Sequence, residues 1–255
     1  MCFDPGARPP ISGELQPIRT LAFRLEFSGD SNMAAYHATP AGNGAGGGNM
    51  ILLPDNRGVT PFYERLAEHL ASEGFSTLAI DYFARSEMQP SAPPLNPQAM
   101  LQRIADLTRD GCYAQISAAV NYLREDSHDD SAKVVALGFC MGGRLAFLAS
   151  QPQFGLSGGI GLYGSLGPIL DAPGPAELAD RFVAPILGIF GGADQFISAE
   201  QVSAFNEALT RSGAAHEFVT YPGAPHSFFD IAYEEHKEIC ADAWQRILAF
   251  VRAHS

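Results

Sequence analysis

The stretch V-V-A-L-G-F-C-M-G-G-R-L-A-F-L, residues 134–148, decides the fold of this chain. Four apolar residues lead to Gly138, Cys140 and two further glycines, and an apolar pattern typical of a helix follows. This order predicts a buried strand, a sharp turn and a helix, with the cysteine at the corner. Glycine is needed where two backbones approach closely or adopt unusual dihedral angles. Cys140 is therefore a candidate nucleophile, because a helix N-terminus stabilises a thiolate, and a buried structural cysteine is the alternative.

The composition is that of one large α/β domain, predicted to span residues 1–255. The chain is 46% hydrophobic and only 17% charged, which is enough apolar residues for a sizeable core. A net charge of -12 argues against nucleic acid as a partner, since phosphate binding needs clustered Lys and Arg. The N-terminus has no basic region followed by an apolar stretch, and no apolar run is long enough to cross a membrane. We expect a soluble, cytoplasmic protein without a membrane partner.

The first fifty residues predict an arm and a hairpin. Residues 1–18 are rich in Pro and Gly and predict a surface arm. Two alternating runs, 20–27 and 33–38, flank S-G-D-S-N, which is a good turn sequence, so they predict an antiparallel hairpin at a sheet edge. The glycine-rich residues 41–49 lack the lysine of a phosphate-binding loop and predict a flexible connection.

From residue 50 onward, buried strands alternate with helices, which indicates a mostly parallel sheet covered on both faces. A Pro-rich loop at 81–97 is long enough to be a lid or substrate loop, and a Pro- and Gly-rich excursion follows at 164–175. Around the central strand before Gly138, the predicted strands are 50–53, 75–80, 158–162, 185–190 and 216–221, and the predicted helices are 62–72, 98–124 with an interruption near Gly111, 200–211 and 233–251.

Two later loops carry the groups that a thiol nucleophile needs. G-I-F-G-G-A-D-Q-F-I-S places Asp194 just after a predicted strand, and Y-P-G-A-P-H-S-F places His226 just after another. The carboxyl ends of parallel strands share one edge of the sheet, so both side chains are expected near Cys140. A histidine can take the thiol proton, and a carboxylate can orient the histidine. The alternatives are an Asp194 that only caps its own turn and a His226 that only binds carbonyls.

These motifs, together with D-Y-F-A-R at 81–85, resemble the dienelactone hydrolase family of α/β-hydrolases over about residues 48–252. The resemblance implies an α/β-hydrolase fold and a triad of Cys140, His226 and Asp194 that forms an acyl-thioester. It also implies an oxyanion hole made by the backbone N-H groups of Met141 and Asn56. It implies no metal and no organic cofactor. The other cysteines have no paired or metal-binding spacing, which favours reduced thiols.

Two positions depart from the family pattern. The family carries a glutamate that holds the resting thiol, and the matching residue here is Asp55, whose shorter side chain makes a more permanently ionised thiolate possible. A turn-capping role for Asp55 is the alternative. The family's substrate-binding arginine is replaced by Asp230, which favours a neutral or apolar substrate. Arg57, Arg85 and Arg103 could supply a replacement cation.

The sequence therefore predicts a cysteine-dependent hydrolase of small ester, lactone or thioester substrates. The same machinery could instead act on activated phosphoesters, and a non-catalytic ligand-binding homologue is a further alternative. The partner is a small molecule, and the sequence allows either a monomer or a homodimer. Aromatic residues near the site predict an apolar pocket, and they are Phe83, Phe139, Phe196 and Phe228, with Phe229 beside them.

Overall fold

The computed structural model describes residues 7–29, 31–42, 47–83, 97–169, 172–230 and 234–255. Within them, eight strands form one sheet and six α-helices pack around it. The strands are β1 (Ile18–Ser28), β2 (Ser31–Pro40), β3 (Asn49–Leu53), β4 (Ser76–Ile80), β5 (Val134–Phe139), β6 (Gly158–Leu162), β7 (Ile186–Gly191) and β8 (His216–Tyr221). The helices are α1 (Pro61–Ser72), α2 (Pro97–Ala105), α3 (Arg109–Ser127), α4 (Met141–Leu148), α5 (Ala199–Ser212) and α6 (Lys237–His254).

The sheet has the order β1-β2-β4-β3-β5-β6-β7-β8. Strands β3 to β8 are parallel, whereas β2 pairs antiparallel with both β1 and β4. Register runs from Ile18 opposite Pro40 to Ser28 opposite Ser31, which confirms the predicted hairpin at the sheet edge.

Every residue of β3, β5, β6 and β7 is buried. Strands of this kind have no polar face, because layers cover both sides of a parallel sheet. Their side chains belong to a single hydrophobic cluster that also includes residues of α1, α3, α4 and α6. The predicted α/β architecture is thus confirmed.

The helix predicted over residues 98–124 is two helices, separated at residues 106–108. The break lies just before Gly111 because Thr108 begins α3: its side-chain hydroxyl accepts the N-H of Gly111 at 3.1 Å. The last helix starts later than predicted, at Lys237, after a short 3-10 turn at Glu234–His236.

Parallel strands bring their carboxyl ends to one edge of the sheet. Leu53 is opposite Gly138, Phe139 is opposite Leu162, and Gly191 is opposite Tyr221. The loops that leave this edge carry the residues singled out from the sequence, so the fold itself collects them on one side of the molecule.

Part of the predicted substrate loop at 81–97 lies outside the described residues, and Arg85 lies there with it. The same is true of residues 43–46 in the glycine-rich segment. No helix among the described residues has both the length and the apolar character needed to cross a membrane.

Candidate active site

Cys140 lies at the turn between β5 and α4 in a conformation that side chains rarely adopt. Its φ is 54° and its ψ is -112°. Main-chain bonds hold this geometry: the Cys140 N-H donates to the Leu162 carbonyl at 3.0 Å, and its carbonyl accepts the Arg144 N-H at 3.1 Å. Strained residues of this kind persist only where the surroundings determine them, and they cluster at functional sites. The predicted sharp turn is confirmed.

The flanking glycines are required by close backbone contact. A Cβ at Gly138 would overlap the carbonyl oxygen of Gly142, and a Cβ at Gly142 would overlap the carbonyl oxygen of Leu53. At Gly143 it would lie 2.9 Å from the Leu162 carbonyl oxygen. The start of α4 is therefore pressed between the ends of β3 and β6, which fixes the position of Cys140.

Asp194 and His226 are hydrogen-bonded to each other. His226 Nδ1 lies 2.7 Å from Asp194 Oδ2, and only 1% of the Asp194 side chain is exposed. The other oxygen, Oδ1, accepts the N-H groups of Phe196 at 2.8 Å and Ile197 at 3.3 Å. An acceptor at Nδ1 favours the tautomer with its proton there, which leaves Nε2 to accept a proton from a nucleophile.

The loops that carry this pair are joined by their backbones. The Gly192 N-H donates to the Tyr221 carbonyl at 2.7 Å, and the Ala193 N-H donates to the Ala224 carbonyl at 3.0 Å. These bonds set the spacing between the carboxylate and the imidazole before any ligand binds. The sequence predicted both loops, but it did not predict the main-chain hydrogen bonds that join them.

Tyr163 was missed by the sequence analysis. It follows β6 directly with a φ of 38°, and it is fully buried. The centre of its ring lies 5.0 Å from that of the His226 ring. On the His226 ring, Phe196 packs edge-on with a centre-to-centre distance of 5.1 Å. Its position at a strand end, on the same edge as Cys140, was the available signal. The His226 ring is therefore held by two aromatic neighbours as well as by Asp194.

Met141 and Asn56 are the two residues for which the resemblance implies an oxyanion hole. Met141 is the first residue of α4, and the first amides of a helix have no partner within it. Asn56 is buried three residues after β3, the strand whose last carbonyl lies against Gly142. Two N-H groups near one nucleophile suit the binding of a developing negative charge. Their role as donors stays a prediction.

Asp55 is completely buried and is paired with Arg57. Its carboxylate accepts the Arg57 main-chain N-H at 2.8 Å and Nε at 3.0 Å, and Arg57 Nη2 lies 2.9 Å away. The N-H of Asp55 donates to the Tyr63 hydroxyl at 2.9 Å. Burial, followed by the nearby charge of Asp55, raises the pKa of Tyr82 well above its ordinary value, so that Tyr82 remains a neutral donor to the Pro54 carbonyl at 2.6 Å. The Asp55 side chain thus stabilises the loop that carries Asn56, and its predicted influence on the thiol stays a prediction.

Replacing Arg57 with alanine is expected to lower the free energy of unfolding by about 3 kcal/mol, because the buried Asp55 charge would lose its guanidinium partner. Urea denaturation measures the change. The matched control is Arg211→Ala, which removes an exposed pair with Glu207 and should cost less than about 1 kcal/mol. An equal loss of unfolding free energy in the two variants would contradict a stabilising role for the buried pair of Asp55 and Arg57.

The predicted pocket residues divide into exposed and buried groups. Phe196 is 61% exposed beside His226, and Phe83 is half-buried under the guanidinium of Arg103, which lies 4.1 Å from its ring centre. Phe139 and Phe228 are fully buried. Their predicted place in a pocket lining is therefore corrected: they pack in the core beneath the site.

Asp230 is buried beneath the N-terminal arm. Its Oδ1 accepts the N-H of Arg8 at 3.2 Å, and the thiol of Cys240 donates to the carbonyl of Phe228, two residues earlier, at 3.3 Å. A buried carboxylate at this position offers no positive charge to an anionic substrate.

The buried cysteines differ from Cys140 in their surroundings. Burial raises the pKa of both Cys112 and Cys240 to about 11. Because the thiolate is the reactive form, these two thiols are mainly protonated and react slowly at neutral pH. No group of three or more metal-ligating side chains occurs within the described residues.

We expect iodoacetamide at pH 8 to alkylate Cys140 at least tenfold faster than Cys112 or Cys240 in the folded protein. Peptide mapping by mass spectrometry at timed intervals measures the three rates. In urea the difference should disappear, because burial no longer protects the two thiols. Equal rates in the folded protein would contradict the prediction.

A strained turn at the end of a central strand, with a histidine and an aspartate on later loops of the same sheet edge, defines the class of α/β-hydrolases. A model of the "Dienelactone hydrolase family" matches residues 33–255. The chain belongs to the dienelactone hydrolase family, and it is a hydrolase of that type.

Individual relatives agree with this membership. A protein of Escherichia coli (strain K12) named "Putative carboxymethylenebutenolidase" is 29% identical, with 99% of this chain and 95% of the relative covered. The crystal structure of a "Putative Dienelactone Hydrolase" from Klebsiella pneumoniae has a TM-score of 0.81 at 27% identity, covering 92% of this chain and 99% of that one. A dienelactone hydrolase-like promiscuous phosphotriesterase from metagenomic libraries shares the fold, with a TM-score of 0.72 at 21% identity and coverage of 92% and 98%.

Proposed function

We propose that this protein is a cysteine-dependent hydrolase of small carboxylic esters, lactones or thioesters that works through an acyl-enzyme. The observation that carries the proposal is the 2.7 Å bond between His226 and Asp194 on the same sheet edge as the strained Cys140. A thiol, an imidazole and a buried carboxylate in this order are the parts of a nucleophilic triad.

In the first half of the reaction, Cys140 Sγ attacks the substrate carbonyl carbon and its proton passes to His226 Nε2. The N-H groups of Met141 and Asn56 donate to the carbonyl oxygen as it becomes negative. The imidazolium is stabilised by Asp194 and gives its proton to the leaving alcohol or thiol. The acyl group is then bound to Cys140 as a thioester.

In the second half, His226 takes a proton from water, and the resulting hydroxide attacks the thioester carbonyl. The tetrahedral intermediate collapses, the carbon-sulfur bond breaks, and the proton returns from His226 to Cys140. The products are the carboxylic acid and the free enzyme. No cofactor takes part in these steps.

A neutral acyl group fits the charges near the site better than an anionic one. Asp230 replaces the arginine that the family pattern carries, and it is buried against the Arg8 N-H. Arg57 is engaged by Asp55, so that its charge is already neutralised. The relatives named carboxymethylenebutenolidase therefore support hydrolysis as the type of reaction, and we do not take the substrate of this protein from their name.

The test is a panel of substrates hydrolysed by the wild type, Cys140→Ala and Cys240→Ala. The panel contains p-nitrophenyl esters, a phenyl thioester, dienelactone and diethyl p-nitrophenyl phosphate. We expect neutral esters or thioesters to be hydrolysed best, Cys140→Ala to lose at least 10³-fold in kcat/KM, and the buried Cys240→Ala to keep its activity. Ester hydrolysis that survives in Cys140→Ala would overturn the mechanism.

The panel also separates the alternatives. If dienelactone has the highest kcat/KM, the proposed preference for a neutral acyl group is wrong. If the phosphotriester does, the chain resembles in activity the promiscuous phosphotriesterase with which it shares its fold. If no substrate reacts, a ligand-binding role on a hydrolase fold is favoured.

A further inference from the structure

A groove of about 650 Å³ lies beside α4 and is not used by the mechanism above. Its first wall is α4, which contributes Met141, Leu145 and Leu148. The end of α2 and the start of α3 form the second wall, and the third is formed by Ile169, Ala172, Pro173 and Leu178. We call it the α4 groove. Its volume lies within the range of small-molecule sites.

The wall formed by α4 is apolar apart from Arg144, and helix geometry explains why. Residues 141, 145 and 148 are spaced by four and three positions, so their side chains share one face of the helix. The opposite wall presents Ile104 and Leu107 to them, and the third wall presents Leu178. The groove can therefore receive an apolar chain along the length of α4.

Two polar side chains of the lining, Arg144 and Gln151, tie the walls of the groove together. Arg144 donates to the carbonyl of Gly167 and, at 2.8 Å, to that of Pro173, which ties the third wall to α4. Gln151 Nε2 donates to the Tyr113 hydroxyl and to the Leu148 carbonyl, both at 2.8 Å, which ties the second wall to α4. Preformed walls reduce the entropy lost when a ligand binds.

The groove reaches Met141, the residue that follows Cys140 in the chain. The N-H of this residue is the proposed oxyanion donor, while its side chain lines the groove. None of the described residues that line the groove comes from the loops of Asp194 and His226. The leaving group must lie at His226 to receive its proton, so the groove is on the side of the acyl group.

We infer that the α4 groove binds the apolar chain of the acyl group, so that the preferred substrates are esters or thioesters of unbranched, medium-chain carboxylic acids. The inference rests on the proposed function. Residues 141 to 148 span about 10 Å along the helix axis, enough for an extended chain of about eight carbons. Each fully buried methylene is worth about fourfold in kcat/KM, so octanoate, with six more methylenes than acetate, should gain at least about 30-fold even if only half of them are buried.

The test measures kcat/KM on p-nitrophenyl esters from acetate to decanoate, which share one leaving group. For the wild type we expect a rise of at least 30-fold from acetate to octanoate. Ile104→Trp, which fills the groove from the half-buried face of α2, should lower octanoate hydrolysis at least tenfold and change acetate hydrolysis less than twofold. Leu101→Trp is the matched control: this residue is 68% exposed on the same helix, and both activities should stay within twofold.

Leu178→Trp fills the groove from the third wall and repeats the test if the first variant does not fold. Binding of octanamide, an unreactive neutral analogue, is measured by calorimetry in parallel, and it should weaken at least tenfold in either tryptophan variant. Equal loss of acetate and octanoate hydrolysis, or unchanged octanamide binding, would overturn the inference. If no ester is hydrolysed while octanamide binds in the groove, the proposed function fails and the groove assignment stands.

Discussion

Replacing Asp194 with asparagine should lower kcat/KM on a reactive ester by about 10³- to 10⁴-fold. Asp194 Oδ1 is held by two main-chain N-H groups, so the asparagine oxygen would keep that position and its NH₂ group would face His226 Nδ1. A donor there forces the imidazole proton onto Nε2. The histidine could then no longer take the proton of Cys140, although the shape of the site would be unchanged.

The measurement is the pH dependence of kcat/KM for both enzymes, together with urea denaturation. We expect the two free energies of unfolding to agree within about 1 kcal/mol, so that the loss belongs to the reaction. Asp130→Asn is the control, because Asp130 is an exposed carboxylate before β5, at the opposite end of that strand from Cys140. Asp194→Asn activity above a tenth of the wild type would show that the carboxylate only caps its turn.

Replacing Gly142 with alanine should lower the free energy of unfolding by about 4 kcal/mol or more. Helix propensity alone favours alanine by about 1 kcal/mol. The added Cβ, however, would overlap the carbonyl oxygens of Leu53 and Pro54, both closer than any real Cβ contact. Either α4 or the end of β3 must move in a close-packed core, and losses of this size come from few other causes.

Urea denaturation of a graded set of variants tests this. Gly143→Ala should be less damaging, because its nearest contact would be at 2.9 Å, and Gly42→Ala should be neutral within about 0.5 kcal/mol, since nothing lies within 4 Å of its Cβ. If Gly142→Ala does not fold at all, Gly143→Ala still gives a measurable intermediate value. A Gly142→Ala protein as stable as the wild type would contradict the close approach.

The sequence pattern was sufficient to predict the central strand, the turn at Cys140 and the sheet edge that carries the candidate site. The apolar run before Gly138 predicted a central strand because a parallel strand is buried on both faces. Asp194 and His226 were predicted to meet because each follows a strand and parallel strands end at one edge. The glycines around Cys140 predicted a turn. The structure shows which carbonyl oxygens a Cβ at these positions would overlap.

The features of the site that the sequence did not predict depend on contacts between distant parts of the chain. No periodicity indicates that Tyr163 lies against His226, or that Arg8 covers Asp230. The sequence suggested that Phe139 and Phe228 face a ligand because both lie close to Cys140 or His226 along the chain, yet both are fully buried and pack against the ring of Tyr163. The groove beside α4 is formed by three separate segments, so it could not be read from any one of them.

The positive φ of Cys140 limits which side chains can stand at the reactive corner. A β-branched residue is a steric outlier at such a dihedral, so threonine and valine are excluded by the backbone before their chemistry matters. Cysteine, serine and alanine are unbranched at Cβ and meet no such obstacle. The proposed sulfur nucleophile can therefore be exchanged for an oxygen nucleophile, or removed, by a single substitution that the backbone conformation allows. Directed evolution of this protein can thus change the atom at the proposed nucleophile position while keeping the scaffold.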